Sequence, residues 1–141
     1  MLETYQWPVV VTVAYAAVYY TIMMYVMTVR VRVARDARDR GERFDRYFSE
    51  DRQLLAADRM QLNMLEHMPM FLVGLWVHAV LVGAEWAAIA GAMYVASRAL
   101  YPFMMGRRLG RFVRARILFA TVPGYAVMTY LYIRLLWSVM V

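Results

Sequence analysis

Four runs of apolar residues divide the chain. They cover about residues 7–29, 64–82, 86–105 and 117–141, and the later three carry one charge apiece: Glu66, Arg98 and Arg134. At ~1.5 Å per residue each run can cross a ~30 Å hydrocarbon core as a helix. Inside a bilayer the backbone must satisfy its own hydrogen bonds, so a helix is the expected form of each. Ser49 followed by Glu50 and Asp51 has the pattern of an N-cap with acids in the first turn. The second helix is therefore expected to begin near residue 50 and to stand partly above the membrane. The pattern predicts helices over about 7–29, 50–82, 86–105 and 117–140, with loops over about 30–49 and 106–116. The segment 30–59 mixes nine Arg with seven acids, which favours a solvated helix or short helices, broken at Gly41. Ala87 with Gly91, Ala88 with Ala92, and Ala92 with Ala96 form small-xxx-small pairs that permit close helix packing. The expected fold is one all-α domain over residues 1–141, an integral membrane four-helix bundle.

Composition strengthens the membrane reading. Of 141 residues 63% are hydrophobic and only 18% charged. A soluble core of this size could not hide so much apolar surface, and the same numbers exclude disorder. The net charge of +6 comes with 16 Arg and no Lys. Without a soluble body to carry a basic surface, nucleic acid is not an expected partner. The absence of Cys excludes disulfides, thiolate metal sites and a cysteine nucleophile. His67 and His78 are too few for an ordinary histidine metal site, so no metal is expected.

The positions of the arginines set an orientation. Fourteen of the 16 lie in the segments 30–59 and 107–116. By the positive-inside rule both segments face the cytosol and both termini lie on the other side, in a multi-pass chain. The choice between a bacterial cytoplasmic membrane and the endoplasmic reticulum membrane is open. The flank Met1-Leu2-Glu3 lacks a basic residue, so the first run is expected to be a retained span and not a cleaved signal.

The candidate chemistry lies at the start of the second helix. Arg59, Asn63 and Glu66 are spaced i, i+4, i+7, within about 60° of one another, on a stripe that descends ~10 Å into the apolar zone. An ionisable residue there faces protein or a wet cavity. Pro69, three residues on, is expected to kink the helix. Tyr94, Arg98 and Tyr101 form a second such stripe on the third helix. Two polar stripes at similar depth suggest one pocket open to the cytosol. Arg59 and Arg98 suit carboxylates, Glu66 suits an ammonium group, and Asn63 and Gln61 offer amide groups. A small acidic peptide would fit. The bland readings are helix-gluing polar contacts for the first stripe, snorkelling for Arg98 and Arg134, packing for Tyr94 and Tyr101, and a packed or interfacial role for His67 and His78.

The run Arg59-x3-Asn63-x2-Glu66-x2-Pro69, with Gln61, Phe71-Leu72 and Leu75-Trp76, resembles the signature of the membrane-associated proteins in eicosanoid and glutathione metabolism. These include microsomal glutathione transferases and leukotriene C synthase. Tyr94-x3-Arg98-x2-Tyr101 resembles the family's third-helix motif. The resemblance implies a homotrimer embedded among membrane lipids, with glutathione as co-substrate between protomers near the cytosolic face. It implies glutathione contacts at Arg59, Gln61, Asn63, Glu66, Arg98 and Tyr101. It further implies a transferase or peroxidase acting on lipophilic electrophiles or lipid hydroperoxides. His67 stands where many relatives have Tyr, and Met105 where many have a second Tyr. Phe112 stands where leukotriene C synthase has its thiol-activating Arg, which leaves the flanking Arg111 and Arg114, then Arg98, with Tyr101 as a hydroxyl donor, as the candidate thiolate stabilisers. Two other readings remain open: a non-catalytic lipid-binding or scaffold member of the family, and a small structural subunit of a membrane complex.

Overall fold

The computed structural model describes residues 2–108, 110 and 115–141. Four helices follow one another: α1 (Leu2–Asp39), α2 (Arg52–Leu81), α3 (Ala84–Met105) and α4 (Ile117–Met140). No strand occurs among the described residues. The protomer is an all-α four-helix bundle. α2 and α3 pack on each other and each touches both outer helices, whereas α1 and α4 make no contact with one another among the described residues. A polar group carried by α2 or α3 therefore meets a second helix on either side.

α1 is longer than its membrane-spanning part. The apolar run ends near residue 29, but the helix continues to Asp39. Val11, Tyr15, Ile22, Val26, Val29, Val33 and Ala37 are all buried. Their spacings of three, four and seven residues make one stripe. Val33 and Ala37 carry that stripe past the first arginines, while Arg32 pairs with Asp36 one turn on at 3.9 Å. The segment expected as the start of a loop is thus the last three turns of α1. The break does fall at Gly41. Its φ is +72°, a conformation that suits glycine. The Gly41 N–H donates to the Arg38 carbonyl and the Glu42 N–H to the Ala37 carbonyl, both at 2.9 Å, which closes the helix as a Schellman motif. Arg40 then clasps Glu42 at 2.8 Å and holds its carboxyl below the usual range.

The cap of α2 is also shifted from its expected place. Asp51, not Ser49, accepts the free N–H groups of Gln53 and Leu54, at 2.9 and 2.8 Å. Ser49 instead accepts from the Asp51 N–H at 3.3 Å. α2 runs unbroken through Pro69.

Only part of the small-residue ladder on α3 faces inward. Ala87, Ala88 and Gly91 are buried, while Ala92 and Ala96 are exposed on the protomer surface. A Cβ on Gly91 would stand 2.7 Å from Val11 Cγ1 and 2.8 Å from Leu75 Cδ1, so Gly91 is where α1, α2 and α3 meet. The outside of the bundle is apolar: Trp7, Val13, Phe103, Phe119, Leu136 and Trp137 are all well exposed. Such a surface needs lipid or another protein surface to cover it. α1 and α2 each hold a stretch apolar and long enough to cross a membrane. α3 and α4, with 22 and 24 residues, reach about 33 and 36 Å at the helical rise per residue.

Candidate functional site

Arg98 is the largest fully buried side chain, 1% exposed. Its setting follows from its neighbours on three helices. On α2, Asn63 Oδ1 accepts from Nη1 at 2.7 Å. On α3, Ser97 Oγ accepts from Nε at 3.4 Å. On α4, the Ala120 carbonyl accepts from Nη2, also at 3.4 Å. The guanidinium carbon lies 5.1 Å from the Tyr94 ring centre and 5.9 Å from that of Tyr101, within cation–π reach. Gly124 makes the room: a Cβ there would collide with Arg98 Nη2 and stand 3.1 Å from Ser97 Oγ. All these acceptors are neutral. None of the ion pairs among the described residues includes Arg98. Its positive charge is therefore held in place without being neutralised, which makes the surrounding surface attractive to an anion.

An aromatic floor fixes this arrangement from below. Phe71 and Tyr94 stack with ring centres 4.0 Å apart, and Tyr15 packs on both at 5.0 and 6.1 Å. The Tyr15 hydroxyl donates to the Met64 carbonyl at 3.0 Å. Rings from α1, α2 and α3 thus lock the turn of α2 that carries Asn63.

The structure divides the residues singled out in the sequence into three groups. Asn63, Arg98 and Tyr101 come together in the interior. Arg59 and Glu66 are exposed and flank that cluster, both within electrostatic reach of the Tyr101 hydroxyl. Gln61 lies apart. Two residues from Asn63 on a helix is a turn of about 200°, and Gln61 lines a cavity of about 530 Å³ with Arg46, Tyr47, Asp58, Arg59, Leu62 and Leu65. The rim is organised by Asp58, which Arg30 meets at 3.0 Å and Arg46 approaches at 3.9 Å. Arg111 and Arg114 lie outside the described residues.

Several contributors escaped the sequence reading. Ser97, Ala120 and Gly124 seat Arg98, and a glycine facing an arginine across two helices leaves no local signal. His67, expected as a packed or interfacial residue, makes two directed contacts. Its Nδ1 lies 2.8 Å from the Asn63 carbonyl and its Nε2 lies 3.2 Å from the Tyr125 hydroxyl.

A family model described as the MAPEG family matches residues 10–137, taking in all four helices but for their outermost ends. The chain belongs to the MAPEG family. No curated protein matches it closely enough to count as a relative. MAPEG membership, with the two membrane-length apolar helices, makes this a membrane protein of a family concerned with glutathione-related transfer and eicosanoid metabolism. Among the described residues no group of three or more His, Cys, Asp or Glu is placed to hold a metal ion.

Proposed function

We propose that this MAPEG protein is a glutathione-dependent membrane transferase or peroxidase acting on lipophilic electrophiles or lipid hydroperoxides. The observation that carries the reading is the buried Arg98, held by Asn63 through a 2.7 Å hydrogen bond and flanked by exposed Arg59 and Glu66. Glutathione carries two carboxylates and one ammonium group. Arg59 is free to grip a carboxylate bidentately, and Glu66 to receive the ammonium. Arg98 supplies positive potential behind Asn63 and Tyr101, at no cost of reorganisation when the ligand arrives.

The second support is the split between the two flanks of α2. Gln61 lies on the flank of α2 turned from Asn63, where it lines a second cavity together with Arg59. A homotrimer with glutathione between protomers near the cytosolic face gives both flanks a use. In this reading the Arg-rich segments 30–59 and 107–116 face the cytosol, and both termini lie on the opposite side. Lipophilic substrate arrives from the bilayer. Binding aligns thiolate and electrophile, and proximity supplies much of the rate. Arg111 and Arg114 are the arginines proposed to stabilise the thiolate.

The test is turnover by the purified protein in detergent. Conjugation of glutathione to chlorodinitrobenzene, or reduction of cumene hydroperoxide by glutathione, is expected above the uncatalysed rate. Saturable glutathione binding without either activity would favour the scaffold reading, and no glutathione binding would overturn the proposal.

A further inference from the structure

The His67–Tyr125 contact lies outside the ligand-gripping residues, and its geometry has a chemical direction. His67 Nδ1 faces the Asn63 carbonyl at 2.8 Å. A carbonyl oxygen can only accept, so Nδ1 carries the hydrogen. In the neutral ring Nε2 is then a lone pair, and the hydroxyl 3.2 Å away on Tyr125 donates to it. The rings meet edge-on, 5.3 Å between centres. A carbonyl thus orients an imidazole, and the imidazole polarises a hydroxyl, which is the arrangement of an activated acid–base group.

The pair is tied to the Arg98 cluster at both ends. Asn63 holds Arg98 with its side chain and His67 with its main chain. Tyr125 follows Gly124, whose missing side chain makes room for the Arg98 guanidinium. His67 stands four residues beyond Asn63, about 6 Å deeper along α2, between the polar cluster and the apolar zone. Tyr125 is 52% exposed and its contact with His67 lies at the surface of the bundle, so a docked molecule can reach the pair. Tyr94 and Tyr101 on α3 lie within electrostatic reach of the Tyr125 hydroxyl, Arg98 faces the pair through Asn63 and Gly124, and on α2 Glu66 directly precedes His67 while Arg59 lies about two turns before it.

We propose that His67 and Tyr125 form the proton relay of the glutathione site, with Tyr125 touching the thiol and His67 acting through it as the base. This rests on the glutathione reading above. The thiol S–H bond breaks as its proton passes to Tyr125 Oη. The phenol's own proton passes to His67 Nε2, giving a thiolate and an imidazolium while Tyr125 remains neutral. The Asn63 carbonyl accepts from Nδ1 throughout and is better matched to the cation. When the thiolate sulfur bonds to the electrophile, the proton returns along the same path to the departing or newly formed anion, and the imidazole is neutral again.

The experiment compares parent, Tyr125→Phe and His67→Gln in detergent, measuring glutathione affinity by calorimetry and the pH profile of kcat/KM with chlorodinitrobenzene. Tyr125→Phe keeps the ring, and His67→Gln keeps a hydrogen-bonding side chain that cannot titrate. Both variants should bind glutathione within about threefold of the parent, which also reports that they are folded. Both should lose on the order of 10²-fold in kcat/KM near neutral pH, the usual share of general acid–base catalysis. In His67→Gln the rate should climb with hydroxide concentration where the parent has levelled off. Glutathione binding and turnover in the parent with pH profiles unchanged in the variants would overturn the relay and leave the glutathione reading standing. A parent that binds no glutathione would overturn both.

Discussion

Asn63 on α2 and Arg98 on α3 are joined by a 2.7 Å hydrogen bond from guanidinium to side-chain amide, and this contact ties the two central helices together at the depth of the proposed site. A carboxylate at residue 63 would have neutralised Arg98. An amide holds it and leaves its charge to act on a ligand. Asn63→Asp should therefore form a buried ion pair and weaken glutathione binding while the bundle stays folded. A calorimetric titration of the variant checks this, and tighter binding than in the parent would contradict it.

Gly124 should be intolerant of any side chain. A Cβ there meets Arg98 Nη2 and Ser97 Oγ, and overpacking of this kind costs about 1–3 kcal/mol. Gly124→Ala should lower the thermal unfolding midpoint in detergent and weaken glutathione binding together. Gly41→Ala forces a β-carbon into a positive φ and costs about 1–2 kcal/mol, but it lies in a turn outside the proposed site and should leave glutathione affinity unchanged.

The exposed charges should matter for ligand and not for fold. Glu66 and Arg59 make no ion pair among the described residues. Glu66→Gln and Arg59→Ala should leave the unfolding midpoint within a degree or two of the parent. Each should lose more than tenfold in glutathione affinity, since truncating one partner of a desolvated charge pair costs about 2–5 kcal/mol. Unchanged binding in both variants would assign the two side chains to the solvated surface.

Topology is testable because the chain has no cysteine of its own. Asp45→Cys and Gly110→Cys each introduce a single thiol. Both should react with an impermeant maleimide from the cytosolic face alone. Reaction of the two positions from opposite faces would break the four-span orientation.

The fold was legible because its signals are local. Apolar runs long enough to span a bilayer mark all four helices, and Gly41 marks a break by its lack of a side chain. The end of α1 was obscured because Arg30, Arg32, Arg35 and Arg38 dominate the local composition, although Val29, Val33 and Ala37 continue the buried stripe among them. The cap of α2 fell at Asp51 because two adjacent acids and a serine all suit that role and only packing chooses between them. Side-chain contacts were legible where helical spacing sufficed, as for Arg98 with Tyr101. Contacts between helices distant in sequence were not. Arg98 with the Ala120 carbonyl and His67 with Tyr125 span 22 and 58 residues, and no periodicity within one helix encodes them. Gln61 shows the limit of motif reading: in sequence it stands between Arg59 and Asn63, and in space it lines a cavity with Arg59 and not with Asn63.

The most direct test of the account is titration of the purified protein with glutathione at neutral pH, followed by ultraviolet absorbance of the thiolate. The account predicts a saturable thiolate signal in the parent. Glu66→Gln should lose it through lost binding, and Tyr125→Phe should lose it with binding retained. No saturable signal and no calorimetric binding in the parent would contradict the claim that the Asn63–Arg98 cluster is a glutathione site.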